Sequence, residues 1–382
     1  MKPRLTSGKL DPAVARNSIA PILWMLALGP MLVASDCSQN HSNLVDSVAA
    51  EQTAATFELD VSRSQSDLAE LTRHPHPLGS NRQREVASWL VSRLTSEGIR
   101  AVQENFNVVT PNPANRRTSE KTALTVNLIG HNIYATDVGR PNPPCIVALA
   151  SHYDSKDIAG VKYLGANDSG SSTAVLLQLL THIKKHNAYH QMSCGFVGWF
   201  FDGEESVLAN WTDGELSHPS KMIDHTYGSR MLASKLMPCI FSGKPSRCLP
   251  AENGQNTGPA VAAVILLDMI GSPGLKLSRD LQSSPELQRI AQRGAALLGL
   301  PEIFTEQATS IEDDHRPFRA LGIPAIDLID FQHLQHWHQP SDDVGTLSPA
   351  SLNIAGHLAL YVASSLANPA NPKPPAKKIN HQ

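Results

Sequence analysis

Short, unbroken runs of apolar residues recur along this chain, and acidic or histidine residues accompany the end of each run. The runs have the length and composition of buried strands, and segments with the apolar spacing of helices separate them. They occupy residues 145–150, 194–201, 261–270 and 324–329. Alternation of this kind predicts an α/β fold whose central sheet is mostly parallel and is covered by helices on both faces.

The two ends of the chain differ from the part between them. Residues 1–35 begin with positive charges and contain an apolar stretch that Pro21, Gly29 and Pro30 interrupt. This pattern predicts a signal peptide or an N-terminal anchor and no stable membrane span, with lipid modification of Cys37 as a third possibility. We therefore expect an exported protein, secreted or periplasmic. A polar segment at 36–67 precedes a single catalytic domain at 68–366, and a Pro/Lys-rich tail fills 367–382.

Charge and cysteine content exclude several classes of protein. The net charge of −3 and the absence of a recognisable motif argue against nucleic-acid binding. Five cysteines without a CxxC pair predict neither a disulfide scaffold nor a thiolate zinc site. Cys239 and Cys248 are close in sequence and are expected to form a disulfide, the alternative being two free thiols.

Candidate metal ligands lie at the ends of the predicted strands, except that Asp313 and His315 precede the fourth strand. Ligands bind at the carboxyl ends of the strands in an open α/β sheet, so one pocket can collect these groups. They are His152, Asp154, Asp168, Asp202, Glu204, Glu205, Asp268, Asp313, His315 and His338. The adjacent Glu204 and Glu205 follow an apolar run, where two carboxylates are costly unless a metal holds one and a proton-transfer role occupies the other. Carboxylate and imidazole without thiolate suit a catalytic zinc.

Six motifs in this order resemble the zinc-dependent aminopeptidases of the M28 type, and most closely the animal-type glutaminyl cyclases, over about residues 70–366. The motifs are HYDSK, GANDSG, FFDGEE, LLDMIGSP, EDDHRPF with GIPAIDLI, and WHQPSDD. The resemblance implies one zinc per chain, held by Asp168, Glu205 and His338.

The resemblance also implies roles for residues around the metal. Glu204 is then the general acid/base, beside a hydrogen-bonded pair formed by Asp268 and Asp313. Substrate contacts are expected from Trp211, Trp337 and Glu312, which stands where the animal enzymes have glutamine. The implied reaction converts the N-terminal glutamine of peptides or proteins to pyroglutamate and releases ammonia.

Two other functions remain compatible with the sequence. The five ligands of a two-zinc aminopeptidase are also present, namely His152, Asp168, Glu205, Asp268 and His338. In that enzyme Glu204 activates a metal-bound water. A binding domain without activity could use the same scaffold, but the intact Glu204 and ligand set argue against it.

Overall fold

The computed structural model describes residues 54–116, 124–208, 211, 213, 225–250 and 258–368. The predicted leader at 1–35 and nearly all of the predicted tail at 367–382 lie outside these residues. So does much of the predicted polar segment at 36–67. Its last residues, however, belong to the helix Val61–Leu71, which begins before residue 68 and ends after it. The boundary at residue 68 thus lies inside this helix.

The main sheet of the described residues has eight strands, in the order β1-β2-β4-β3-β7-β6-β5, with β10 beside β7. The strands that pair with parallel neighbours in its centre are β3 (Cys145–His152), β4 (Gly195–Phe201), β7 (Ala260–Asp268) and β10 (Ala325–Ile329). The antiparallel strands at its edges are β1 (Arg100–Pro111), β2 (Thr125–Val138), β5 (Met237–Phe241) and β6 (Lys244–Cys248). A separate parallel pair consists of β8 (Leu277–Asp280) and β9 (Phe304–Thr309).

Helices cover both faces of this sheet. The α-helices of the described residues are α1 (Val61–Leu71), α2 (Asn81–Ser96), α3 (Ser172–Lys185), α4 (Asn187–His190), α5 (Tyr227–Lys235), α6 (Pro285–Leu297), α7 (Arg316–Ala320) and α8 (Pro349–Ala367). A π-helical turn, Ala166–Ser171, directly precedes α3. Alternate residues of β3 belong to different cores, because successive side chains of a strand point to opposite faces. Val147 and Leu149 pack in the core that contains α3 and α8, whereas Ile146 and Ala148 pack in the core that contains α5 and α7.

The α/β fold predicted from the apolar runs is confirmed, and its parallel part is the centre of a mixed sheet. Strand β2 is long, from Thr125 to Val138, because it pairs with β1 along most of its length and then with β4. One helix, α8, is long and apolar enough to cross a membrane by composition. It is mostly buried and packs against α3, α6, β3 and β7, so it is a core helix.

Two disulfides are present among the described cysteines. The bond between Cys239 and Cys248 joins the hairpin strands β5 and β6, which confirms the predicted pair. The second bond, Cys145–Cys194, was not expected from the sparse cysteine set. These two residues are 49 positions apart in sequence but stand at the starts of neighbouring strands β3 and β4, where the sheet brings them together.

Candidate metal centre and active site

The carboxyl edge of the parallel strands carries the polar residues that the sequence singled out. His152 is the last residue of β3 and Asp268 the last of β7, while Glu204 and Glu205 follow β4. Gly203 makes the turn after β4 with a φ of +71°, a conformation that favours glycine. A pocket of about 260 Å³ opens here. Its polar lining includes Asp168, Glu204, Glu205, Asp268 and Asp313.

Asp168, Glu205 and His338 form one cluster of ligand atoms that lie within 4.8 Å of one another. His338 Nε2 is 3.0 Å from Glu205 Oε1 and 3.4 Å from Asp168 Oδ2. Although burial opposes it, the charge of Glu205 and the hydrogen bonds with both carboxylates raise the pKa of His338 to about 9. His338 has a φ of +56°, an uncommon conformation that is frequent at ligand-holding positions.

A second cluster shares Asp168 with the first. His152 Nε2 lies 3.1 Å from Asp168 Oδ1 and 3.3 Å from Asp268 Oδ1. Burial, together with the nearby charge of Asp313, raises the pKa of Asp268 to about 7 against the opposing effect of His152. Asp168 therefore presents one oxygen to each cluster, as a carboxylate between two metal positions does.

Two buried carboxylates outside the clusters hold the ligand-bearing loops by their backbone. Asp342 accepts hydrogen bonds from the N–H groups of Asn167 (2.8 Å) and Asp168 (3.3 Å). Asp154 accepts from the N–H groups of Glu204 (3.0 Å) and Glu205 (3.3 Å). Asp342 belongs to a motif quoted above, but nothing in the motif's spacing indicates that its role is to position the backbone.

Lys156 is a buried cation that the sequence did not single out. Its Nζ is 3.2 Å from Glu205 Oε2 and donates to the carbonyl oxygen and the hydroxyl of Ser206. The same ammonium lies 3.9 Å from the centre of the Trp211 ring. Lys156 thus links a candidate metal ligand to an aromatic wall of the pocket. Its position in the HYDSK motif was the only available signal.

Glu204 has surroundings unlike those of Glu205. Burial, followed by the charge of Asp313, raises the pKa of Glu204 well above its ordinary value. The ring of His225 lies against it, with Nδ1 2.9 Å from Glu204 Oε1 and 2.9 Å from its carbonyl oxygen. No motif or periodicity in the sequence identified His225.

The resemblance implies that Asp268 and Asp313 bond to each other, but in the structure each of them has a different close partner. Asp268 contacts His152, and Asp313 lies near Asp327 on β10, with ligand oxygens of the two carboxylates within 4.8 Å of each other. Behind them, His315 Nε2 lies 3.0 Å from Asp280 Oδ2. The pocket-lining Asp313 is thus the outer member of a buried acidic and imidazole cluster.

Aromatic side chains form the wall beside His338. Trp337 stacks on His338 with ring centres 4.1 Å apart. Trp211 lies nearly parallel to Trp337, at 6.4 Å and 14°. Both tryptophans and Glu312 line the pocket, and Glu312 is an exposed rim residue paired with Arg316. The residues to which the resemblance gives roles are therefore gathered around one pocket.

Of the wider set of candidate ligands, Asp202 and His315 do not line this pocket, because Asp202 accepts a hydrogen bond from the backbone N–H of His131 and His315 lies against Asp280.

This combination of a parallel-centred α/β sheet with an imidazole–carboxylate cluster at its carboxyl edge defines a candidate metal-dependent protein of the aminopeptidase-like fold. The sequence profile of peptidase family M28 matches residues 132–363. The chain belongs to this family.

Curated relatives and solved structures resemble the chain over most of the described fold. A glutaminyl-peptide cyclotransferase of Drosophila melanogaster is 28% identical over 253 residues, which are 61% of this chain and 63% of that protein. One of Dictyostelium discoideum is 27% identical over 236 residues, 59% of this chain and 61% of that protein. These matches span less than two thirds of the relatives' own length.

Among solved structures, a glutaminyl cyclase of an Acidobacteriales bacterium has a TM-score of 0.61 at 24% identity, covering 84% of this chain and 94% of that one. A leucine aminopeptidase precursor of Bacteroides thetaiotaomicron has a TM-score of 0.60 at 19% identity, covering 79% and 96%. Both likenesses concern the fold, which cyclases and aminopeptidases share.

Proposed function

We propose that this protein is a zinc-dependent glutaminyl cyclase that acts on peptides or proteins with N-terminal glutamine. The observation that carries the proposal is the pocket itself, in which buried Glu204 stands beside a three-ligand cluster and two stacked tryptophans close the adjacent side. The names of the curated relatives support the same reaction.

Asp168, Glu205 and His338 suit a single zinc. Ligand atoms placed about 2.0–2.2 Å from a tetrahedral zinc are roughly 3.3–3.6 Å apart. His338 Nε2 is 3.4 Å from Asp168 Oδ2, within that range, and 3.0 Å from Glu205 Oε1, slightly below it. Three protein ligands leave one position for substrate, as in other catalytic zinc sites. A bound zinc supplies polarisation of the substrate's side-chain amide carbonyl.

The proton transfers of this reaction fall to Glu204. Its carboxylate takes a proton from the substrate α-amine, whose nitrogen forms a bond to the side-chain amide carbon. The bond from that carbon to the amide nitrogen breaks, and Glu204 returns the proton to the departing ammonia. A raised pKa makes the Glu204 carboxylate a stronger base, which favours its taking this proton from the amine before returning it. Asp313 contributes by its charge, and Asp268 stands beside it at the pocket.

The remaining pocket residues orient the substrate and exclude water. The attack is intramolecular, so holding the glutamine side chain folded toward its own amine supplies much of the rate enhancement. Trp211 and Trp337 are placed to enforce this folding. Glu312, at the rim, is placed to contact the α-amine of the substrate, whether that amine is protonated or neutral. The reaction and the predicted leader are consistent with an exported enzyme acting on exported peptides.

The second candidate is a two-zinc aminopeptidase, and one observation favours it specifically. His152, Asp168 and Asp268 form a further cluster that could hold a second metal. In that reaction Glu204 takes a proton from a water molecule, which attacks the first peptide carbonyl.

Two substrates separate these candidates. Purified zinc-loaded protein is offered a peptide that begins with glutamine and an anilide of leucine. The cyclase releases ammonia and yields a peptide blocked at its N-terminus, with little anilide cleavage. Rapid anilide cleavage with no cyclisation would overturn the proposal in favour of the aminopeptidase.

The tryptophan wall has its own test. Trp337→Ala removes packing without removing a metal ligand, so we expect slower cyclisation at unchanged zinc content, as measured by ammonia release and elemental analysis. Trp89→Ala, a change at a partly buried tryptophan on α2 outside the pocket, is the matched control. Equal activities of the two variants would remove Trp337 from the substrate site.

A further inference from the structure

His225 meets Glu204 at a point where the chain returns to the active site. Its Nδ1 lies 2.9 Å from Glu204 Oε1 and 2.9 Å from the Glu204 carbonyl oxygen. The ring is buried, lines the pocket and meets Trp211 edge-on, with ring centres 4.7 Å apart. Neither the ligand clusters nor the proposed proton transfers use this histidine.

The position of the proton on His225 follows from its partners. A carbonyl oxygen only accepts hydrogen bonds, so Nδ1 carries the hydrogen whether Glu204 is ionised or protonated. Burial lowers the pKa of His225 to about 3, which leaves the ring neutral at neutral pH with this one proton. Nδ1 is therefore a fixed donor aimed at Glu204.

The segment that contains His225 is held against residues 203–204 without the His225 side chain. The backbone N–H of Thr226 donates to the Glu204 carbonyl at 2.9 Å, and that of Tyr227 donates to the Gly203 carbonyl at 2.7 Å. Two backbone hydrogen bonds thus already join the segments. The additional donor from the ring reaches the side chain of Glu204, which the backbone contacts leave free to rotate.

We infer that His225 is a positioning residue for Glu204, holding carboxylate oxygen Oε1 so that the other oxygen faces the reacting atoms. This inference rests on the proposed role of Glu204 as acid/base, which both candidate reactions share. A carboxylate held by a donor from a buried ring keeps one rotamer, and proton transfer depends on that geometry. His225 itself exchanges no proton with the substrate.

Two variants separate the donor from the ring. His225→Asn places an amide nitrogen close to the position of Nδ1 and lacks the ring. His225→Phe keeps an aromatic ring beside Trp211 and lacks the donor. We expect His225→Phe to lower kcat roughly ten- to a hundredfold, the order of effect of a misplaced acid/base, with KM changed less than about threefold and zinc content unchanged. His225→Asn should retain kcat within about threefold of the parent protein.

Kinetics are measured with whichever substrate the parent protein turns over, the glutamine peptide or the leucine anilide, so failure of the cyclase proposal does not affect this comparison. A parental kcat in His225→Phe, or a kcat in His225→Asn as low as in His225→Phe, overturns the inference. Histidine ¹H–¹⁵N NMR of the intact protein gives a readout besides activity, with the His225 signals assigned by their loss in the Phe variant. A proton on Nδ1 supports the inference, and a proton on Nε2 alone overturns it.

Discussion

Glu204 and Glu205 are neighbours in sequence, yet they face different partners. Glu205 Oε1 meets His338 and its Oε2 meets Lys156, whereas Glu204 meets His225. The sequence analysis predicted different roles for the two residues, because adjacent carboxylates after an apolar run are costly unless a metal holds one and proton transfer occupies the other. Lys156 and His225 could not be predicted in the same way, because their contacts come from the folding of loops and no periodic pattern marks them.

The division of roles predicts different effects of two similar substitutions. Glu204→Gln should keep zinc and lose activity by about a hundredfold or more, the usual effect of removing an acid/base. Glu205→Gln should instead weaken zinc binding, because it removes a charged ligand. Zinc content by elemental analysis and turnover of each variant check this. Loss of zinc in Glu204→Gln with retention in Glu205→Gln would reverse the assignment.

At the scale of strands and helices, the apolar runs were sufficient to locate the central sheet. The runs at 145–150, 194–201 and 324–329 differ from β3, β4 and β10 by two residues or less at each end. The antiparallel hairpin of β5 and β6 has largely exposed or half-buried residues, so no continuous apolar signal marked it. The Cys145–Cys194 bond escaped prediction because strand order, and not sequence spacing, makes these residues neighbours.

The two disulfides should contribute unequally to stability. Their sequence separations are 49 residues for Cys145–Cys194 and 9 residues for Cys239–Cys248. The chain-entropy model gives about 4 kcal/mol for the longer loop and about 2.6 kcal/mol for the shorter one. Replacing Cys145 and Cys194 together by Ala should therefore lower the free energy of unfolding more than the same change at Cys239 and Cys248. Denaturant unfolding of both variants measures the difference, and equal losses contradict the ranking.

Residues 54–57 are attached to α3 and α8 through contacts with two histidines. Thr56 Oγ1 lies 3.1 Å from His182 Nε2, and the Ala54 carbonyl lies 3.0 Å from His357 Nδ1. Phe57 lies edge-on between the two imidazoles. The ring of His182 also stacks on that of His186 and meets the ring of Tyr189 edge-on. The negative charge of Glu58 lies near His357 and acts to raise the pKa of that histidine. This arrangement suits neutral rings.

Acid should weaken this attachment. Burial, with smaller contributions from His186 and His357, lowers the pKa of His182 to about 4. Between about pH 6.5 and 4 the unfolded chain binds more protons at this site, so stability falls as the pH falls through that window. We expect faster proteolytic cleavage near residues 54–59 at pH 4.5 than at pH 7. His182→Gln, which cannot become charged, should show a smaller change, and an identical change in both proteins argues against His182 as the cause.

At the scale of the whole molecule, one edge of the sheet carries the ligands for either one or two metal ions. β3 supplies His152, β7 supplies Asp268, and the loops after β4 and β10 supply Glu205 and His338, with Asp168 shared between the clusters. The fold alone does not separate the two candidate functions, because its TM-scores to one glutaminyl cyclase and one leucine aminopeptidase are 0.61 and 0.60. The two proposed functions differ in the number of metal ions expected at this edge.

The cyclase proposal predicts one zinc per chain even when zinc is in excess. Burial and the nearby Asp313 favour the protonated form of Asp268, which makes it a poor second-metal ligand. Asp268→Asn should consequently leave zinc content unchanged, whereas Asp168→Asn should abolish it.

Thermal unfolding gives a second measurement. Zinc at a hundredfold excess over its Kd should stabilise the parent protein by about 2.7 kcal/mol, which is about 4 °C in Tm for a domain of roughly 300 residues. This shift should persist in Asp268→Asn and vanish in Asp168→Asn. Two zinc ions per parent chain, falling to one in Asp268→Asn, would identify the two-metal aminopeptidase.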